Sequence, residues 1–340
     1  QPFMQRKTLP ILMFCALPAS GKSESRRYLK SLNKEQNAAF HLGDTSTQVD
    51  DYPYVDAMRK IDNAAQEVLG ETAFFDPVST MFFSGYQWGV LMHMINDDYF
   101  DIKKCNPEIP AEYQADPVQW LLNRYDAAAV KTGKLDAIFA KLAAKHADKF
   151  AAFKQAIAPL CATLLKEKYE NIPRSLEGKT VVFEFARGGA QGSKFPLAAP
   201  YGYEYSLSLL DPEILKNAVI LYIWVTPEQS YQKNQQRAKE GMEGQSQTVS
   251  TQLSLNHGVP HNVMIQEYGT DDIDYLISVT KKENTLTIVH EGVEYYVPIG
   301  RFDNRQDKTT PFRKPQKDWK EAEVAAMRDG MKKAFDALLQ

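Results

Sequence analysis

The feature that most narrows the fold is an octapeptide, Ala16-Leu17-Pro18-Ala19-Ser20-Gly21-Lys22-Ser23. It keeps the GxxxxGK[ST] spacing of a Walker A loop, with Ala16 in place of the first glycine. Before it runs Leu9 to Ala16, a continuous apolar stretch that reads as a strand buried on both faces. After it, Lys22 to Asn33 reads as a helix with Tyr28, Leu29 and Leu32 turned inward. A strand, a loop and a helix in this order can surround phosphate oxygens with backbone N–H groups of the loop and of the first helical turn. Lys22 is then placed for the β- and γ-phosphates, and the Ser23 hydroxyl for Mg²⁺. Ala16, Pro18, Ala19, Ser20, Gly21, Lys22, Ser23 and Glu24 are the candidate nucleotide contacts. Ala16 suits the first position only if its φ is negative.

The rest of the chain alternates in character. Ala38-Ala39-Phe40-His41-Leu42, ending at Gly43-Asp44, reads as a second strand. From 55 to 171 the pattern is helical throughout: Val55–Leu69, Tyr86–Ile95, a helix opened by Pro117, and two more between Lys134 and Tyr169. Strands return at Thr180–Phe185 and Ala218–Val225, with a short helix at Pro212–Lys216 between them. Pro227 opens a helix that runs to about Lys239. Thr285–Val289 and Val293–Ile299 flank Glu291-Gly292 as a hairpin, and Lys317–Leu339 closes the chain as a helix. This predicts an α/β core over 1–54 and 172–340, with 55–171 as an α-helical insertion or cap.

Composition sets outer limits. Of 340 residues, 44% are apolar and 24% charged, a globular balance that excludes a disordered or collagen-like chain. Forty basic against forty-three acidic side chains give a net charge of −3, where a general polyanion binder is usually basic. Three scattered cysteines fit neither a disulfide framework nor a zinc site and agree with a reducing compartment. No stretch has the length of a membrane span or the pattern of a signal peptide, so a cytoplasmic protein is expected.

The loop Pro18-Ala19-Ser20-Gly21-Lys22-Ser23 and the order of segments resemble the nucleoside and nucleotide kinase branch of the P-loop NTPases. The resemblance covers roughly Leu9–Asp51 and Thr180–Val297 and leaves the helical middle unmatched. It implies a P-loop NTPase parallel sheet flanked by helices, with ATP and Mg²⁺ as cofactors. It also implies an acceptor-facing carboxylate after the second strand, for which Asp51 is the first choice and Asp44 the second, Asp50 being adjacent. Glu184 and Arg187 are similar to the acidic residue and arginine that end a later strand, Glu184 then serving Mg²⁺ together with Ser23. The helix carrying Lys233 and Arg237 resembles the start of a phosphate-covering lid, with Gly241 and Gly244 as hinge candidates.

Each of these residues also has a purely architectural reading. Asp50 and Asp51 suit a solvated turn or helix cap, and Glu184 with Arg187 a structural ion pair. Lys233 and Arg237 suit an exposed polar helix. Tyr201, Tyr203 and Tyr205, in a loop with Gly188, Gly189 and Gly192, are either a stacking wall for a base or packing of their own domain. Tyr52, Tyr54, Phe82, Phe83 and Trp88 line an acceptor pocket or form the core of the cap. Arg301, Arg305, Lys308, Arg313 and Lys314 make a basic stretch that serves an anionic substrate or a solvated linker. His257 and His261 have no metal-binding spacing; His257 is the weaker kind of site candidate. The expected function is an ATP- and Mg²⁺-dependent kinase acting on a small hydroxylated acceptor such as a nucleoside or nucleotide. A hydroxyl on nucleic acid, or a nucleotide-dependent ATPase or switch with a protein partner, are the alternatives.

Overall fold

The computed structural model describes residues 8–243 and 258–340, leaving aside the side chains of 241–243. Gly244 and His257 lie outside the described residues. The chain divides into two compact units. One comprises Gln1–Gln48, Gly178–Glu204 and Asp211–Gln340, the other Val49–Glu177 and Tyr205–Leu210.

The first unit is built on a six-stranded sheet of order β2-β3-β1-β4-β6-β5. Its strands are β1 (Ile11–Cys15), β2 (Gln48–Asp50), β3 (Val181–Phe185), β4 (Ala218–Trp224), β5 (Thr285–His290) and β6 (Val293–Asp303). The chain passes into the second unit within β2. β1 runs parallel to β3 on one side, with Cys15 opposite Phe185, and to β4 on the other, with Cys15 opposite Tyr222. β6 is parallel to β4, and β5 is antiparallel to β6, paired to it as the predicted hairpin. β1 is buried along its whole length, as its unbroken apolar sequence requires.

Two helices cover one face: α1 (Lys22–Ser31), through Tyr28 and Leu29, and the last helix, Glu321–Leu338, through Met327, Met331, Ala334 and Phe335. They pack on Leu12, Phe14, Val182, Leu221 and Phe302. Gly300 on β6 is required there, because a Cβ would run into the backbone carbonyl of Ala334.

The predicted strand at Ala38–Leu42 is absent. Lys34–Ala39 is a short helix, α2, opened by an Asn33–Gln36 capping box in which each side chain accepts from the other's backbone N–H. Phe40 and Leu42 still enter the core, as coil, and the His41 carbonyl accepts from Leu9 N–H. Burial without a ladder gave this run its strand-like pattern; the helix-forming residues before it and the cap decided otherwise. The strand after α1 is β2, six residues further on.

The second unit holds α3 (Tyr52–Leu69), α4 (Gln87–Lys103), α5 (Ala111–Ala115), α6 (Pro117–Lys131), α7 (Ile138–Lys145) and α8 (Phe150–Glu170). No strand other than the end of β2 occurs among its described residues, in keeping with the helical reading of 55–171. The first turn of α3 is anchored by a buried polar network. The Tyr54 hydroxyl donates to Asp98 at 2.7 Å, Arg124 donates to Tyr54 at 2.8 Å and to Asp98 at 2.9 Å, and Lys168 reaches Asp98 at 2.6 Å. Burial alone would raise the pKa of Asp98; Lys168 and Arg124 bring it below the usual carboxylate range. Tyr54 is thus tied into the interior of this unit, and Trp88 and Phe82 pack edge to face at 5.2 Å in the same unit.

The remaining helices are α9 (Gly202–Ser208), α10 (Pro212–Asn217), α11 (Pro227–Glu243), α12 (His261–Gln266), α13 (Ile273–Val279) and α14 (Glu321–Leu338).

Candidate functional site

β1 is the point at which the sheet order turns back: β3 and β2 lie to one side, β4 and β6 to the other. In open α/β sheets the carboxyl end of such a strand is where ligands bind. The loop 16–21 leaves β1 there and enters α1.

The loop is buried from Ala16 to Gly21 and fastened by side chains far away in sequence. Ala16 N–H donates to the Tyr203 hydroxyl at 2.9 Å, and that hydroxyl lies 3.0 Å from the Ala16 carbonyl. The Ser230 hydroxyl, on α11, donates to the Pro18 carbonyl at 2.6 Å. Asn304, at the end of β6, donates to the Ser20 carbonyl at 2.8 Å and to Thr309 Oγ1 at 2.9 Å. Thr309 in turn closes on Gly21, where a Cβ would stand 2.5 Å from its Oγ1. Gly21 takes φ 104° and Ala19 takes φ 59°, whereas Ala16 is not in the left-handed region. The condition that the sequence placed on Ala16 is therefore met.

Gly21 opens α1 with no side-chain cap, so the first turn relies on other partners for its N–H groups. Lys22 and Ser23 follow, both half-buried. Among the described residues Lys22 has no ion-pair or hydrogen-bonding partner. A triphosphate fits this set: backbone donors at a helix start, an available ammonium and a hydroxyl.

Glu24, a candidate nucleotide contact, has its side chain engaged by two arginines. Its carboxylate is 2% exposed and engages Arg237 at 3.0 Å and Arg313 at 3.0 Å. Arg313 also reaches Glu240 at 3.1 Å. Burial lowers the pKa of Arg237, against the opposing pull of Glu24. Burial likewise lowers that of Lys233, whose ammonium lies 4.0 Å from Asp307. Arg237 thus pairs with the helix that follows the loop, and Lys233 faces Asp307 in the segment after β6.

Glu184, next to last in β3, takes Arg26 of α1 as its ion partner at 3.3 Å, not Arg187. Arg26 further donates to Gln48 at 2.5 Å and to the Thr45 carbonyl at 3.1 Å. Arg187 is 1% exposed, donates to the Ala186 carbonyl at 2.6 Å and lies over the Phe185 ring. The structural pair expected between Glu184 and Arg187 is replaced by one with Arg26. Arg26 lies one turn beyond Lys22 on α1, with nothing in the spacing to mark it.

The aspartates separate. Asp44 is exposed, accepts from the Ser46 backbone and pairs with Lys179 at 2.8 Å. Its bridge to Lys179 puts it before the start of β3, at the sheet end opposite the loop. Asp51 is 7% exposed and is the N-cap residue of α3, directly after β2. Asp50 accepts from Tyr52 N–H at 2.8 Å.

Three of the five cations of the basic stretch are paired with carboxylates. Arg301 pairs with Asp274 at 2.7 Å, Arg305 with Asp303 at 2.9 Å, and Arg313 with Glu24 and Glu240. Arg301 and Arg305 also approach the ring of Trp224, at 4.2 and 3.6 Å from its centroid. Tyr203, expected in a stacking wall, is fully buried at the loop's first residue. Asn304, Thr309 and Ser230 were not identifiable from sequence, because their role arises only where β6 and α11 meet the loop.

No group of three or more histidine, cysteine or carboxylate side chains suited to a metal occurs among the described residues. Mg²⁺ held mainly by phosphates and Ser23 needs no such group. No helix among the described residues is long and apolar enough to cross a membrane. No protein-family model matches the chain, and no curated protein or solved structure matches it.

Proposed function

We propose that this protein is an ATP- and Mg²⁺-dependent phosphotransferase that moves a γ-phosphoryl group to a hydroxyl of a small acceptor, in first place a nucleoside or nucleotide. The observation that carries this reading is the position of the loop. Ala16–Ser23 leaves the strand at which the sheet order reverses, and it delivers Lys22, unpartnered among the described residues, to the first turn of α1. Phosphoryl transfer depends on positioning and charge neutralisation, and both are local properties of such a loop.

In this reading the loop and the start of α1 hold the phosphates, and Lys22 offsets their charge. Bound Mg²⁺ would supply further neutralisation beside the Ser23 hydroxyl, with Glu184 as the nearest candidate carboxylate of β3. Asp51, buried at the head of α3, orients the acceptor hydroxyl and takes its proton; Asp44 lies at the opposite end of the sheet and is set aside. Arg237 serves the transferring phosphoryl after leaving Glu24. The paired state of Arg301, Arg305 and Arg313 weighs against a nucleic-acid acceptor, which a surface of unmatched cations would favour.

The test is transfer of label from γ-labelled ATP–Mg²⁺ to a panel of nucleosides, nucleotides, sugars and oligonucleotides, with Lys22→Ala as the blank. A labelled product absent from the blank is expected. Lys22-dependent release of phosphate with every acceptor unlabelled would turn the reading to an ATPase or switch.

A further inference from the structure

The first residue of the phosphate loop is held by a side chain 187 positions away. Tyr203 is 0% exposed, and its hydroxyl stands between the ends of two parallel strands. It accepts from Ala16 N–H at 2.9 Å and faces the carbonyls of Ala16 at 3.0 Å and Phe185 at 3.4 Å. One hydroxyl thus ties the chain leaving β1 to the chain leaving β3, where the two strands diverge. Burial raises the pKa of this phenol well above the usual tyrosine range, so its proton stays available as a donor.

Tyr203 is itself fixed. It lies in the first turn of α9, where Asp272 accepts from Tyr203 N–H at 2.7 Å and from Glu204 N–H at 3.0 Å. That carboxylate reaches the helix start only because residue 202 is glycine: φ is 85°, and a Cβ would stand 2.6 Å from Asp272 Oδ2. Gly202 N–H donates to the Gly188 carbonyl at 3.0 Å, and Gly189 bridges to Thr270, two residues before Asp272. Gly188, Gly189, Gly202 and Tyr203 therefore form a brace beneath the loop.

We propose that Tyr203 is a positioning residue for phosphate binding: its hydroxyl sets the backbone of Ala16, and Asp272 sets Tyr203. This rests on the phosphate-loop reading above and adds to it the group that replaces the freedom of the missing first glycine. Substitution by phenylalanine keeps the ring and its packing on Phe185, and removes only the oxygen.

The experiment is calorimetric titration of ATP–Mg²⁺ into wild type, Lys22→Ala, Tyr203→Phe and Asp272→Asn, each first shown to be folded by circular dichroism and thermal melting. Tyr203→Phe is expected to bind about tenfold more weakly than wild type, the loss of one buried hydrogen bond at the binding backbone. Asp272→Asn, which keeps one accepting oxygen, is expected to weaken binding by about threefold. A residue that only packs the fold would lower the melting temperature and leave the Kd unmoved; that result for Tyr203→Phe overturns the proposal. If Tyr203→Phe does not fold, Asp272→Asn decides in the same way. If wild type itself binds no ATP–Mg²⁺, the phosphate-loop reading has failed and this inference falls with it. Binding by wild type that Lys22→Ala loses, with Tyr203→Phe unchanged, removes this inference alone.

Discussion

Glu24 and Arg237 meet at 3.0 Å, with the carboxylate 2% and the guanidinium 12% exposed. One belongs to the first turn of α1 and the other to α11, so the pair joins the helix after the loop 16–21 to the helix proposed to cover that loop. Arg313 completes the arrangement from the segment after β6. Removing the shared carboxylate leaves two arginines facing each other in a desolvated site. Glu24→Ala is therefore expected to cost about 3–5 kcal/mol of unfolding free energy, measured by urea denaturation. A loss under about 1 kcal/mol would show that water enters and screens the cluster.

Gly21 carries a backbone conformation that alanine adopts only with strain, and Thr309 occupies the space a methyl group would need. Gly21→Ala is expected to lower stability by about 1–3 kcal/mol and to weaken ATP–Mg²⁺ binding by more than tenfold. The double variant Gly21→Ala/Thr309→Ala, which removes the Thr309 hydroxyl and methyl nearest the added Cβ, should regain part of the stability but not the affinity, because the strain in φ remains. Melting curves with and without nucleotide separate the two effects.

Asp51, proposed for the acceptor, and Asp44, set aside, can be told apart by substitution. Asp51→Asn is expected to lower the transfer rate by about 10²–10⁴-fold with ATP affinity unchanged, as for loss of a general base. Asp44→Asn, on the exposed turn paired to Lys179, is expected to leave the rate as in wild type. Equal losses in both variants, or in neither, would remove the assignment of Asp51.

Two desolvated carboxylates contribute to the pH dependence of stability. Burial raises Asp271 to about 7, against the hydrogen bond donated by the Tyr222 hydroxyl. Burial raises Asp62 to about 6, against three backbone N–H donors from Ala73, Phe74 and Phe75. A carboxyl whose pKa is higher folded than unfolded binds its proton more tightly in the folded state. Its contribution is thus complete below about pH 4, the unfolded value, and is lost as the pH rises through 6 to 7. Unfolding free energy measured from pH 4 to 8 should fall over that interval from this source. Asp271→Asn should flatten the upper part of the fall; an unchanged slope would show that Asp271 ionises in the fold without cost.

The strands β1, β3 and β4 were legible because each is a continuous apolar run between turn residues, the pattern a doubly covered strand needs. The helical middle was legible from its period, and the hairpin from Glu291-Gly292 between two β-rich runs. β2 was not legible: it is three residues long, and the apolar run before it misled because Phe40 and Leu42 are buried as coil.

The amino-acid sequence by itself marked where the loop from Ala16 to Ser23 falls, with the strand before it and the helix after it, because spacing and local propensity identify such a unit. Only the tertiary structure decided who partners whom around that unit. Arg26 rather than Arg187 meets Glu184, Arg237 and Arg313 share Glu24, and the Tyr203 hydroxyl closes on Ala16. These contacts span 158 to 289 positions of chain, and Coulomb and hydrogen-bond energies act only once folding has brought the groups within about 3 Å. Asp44 shows the same limit in reverse: it sits near the loop in sequence order, and the parallel direction of β3 carries it to the far end of the sheet.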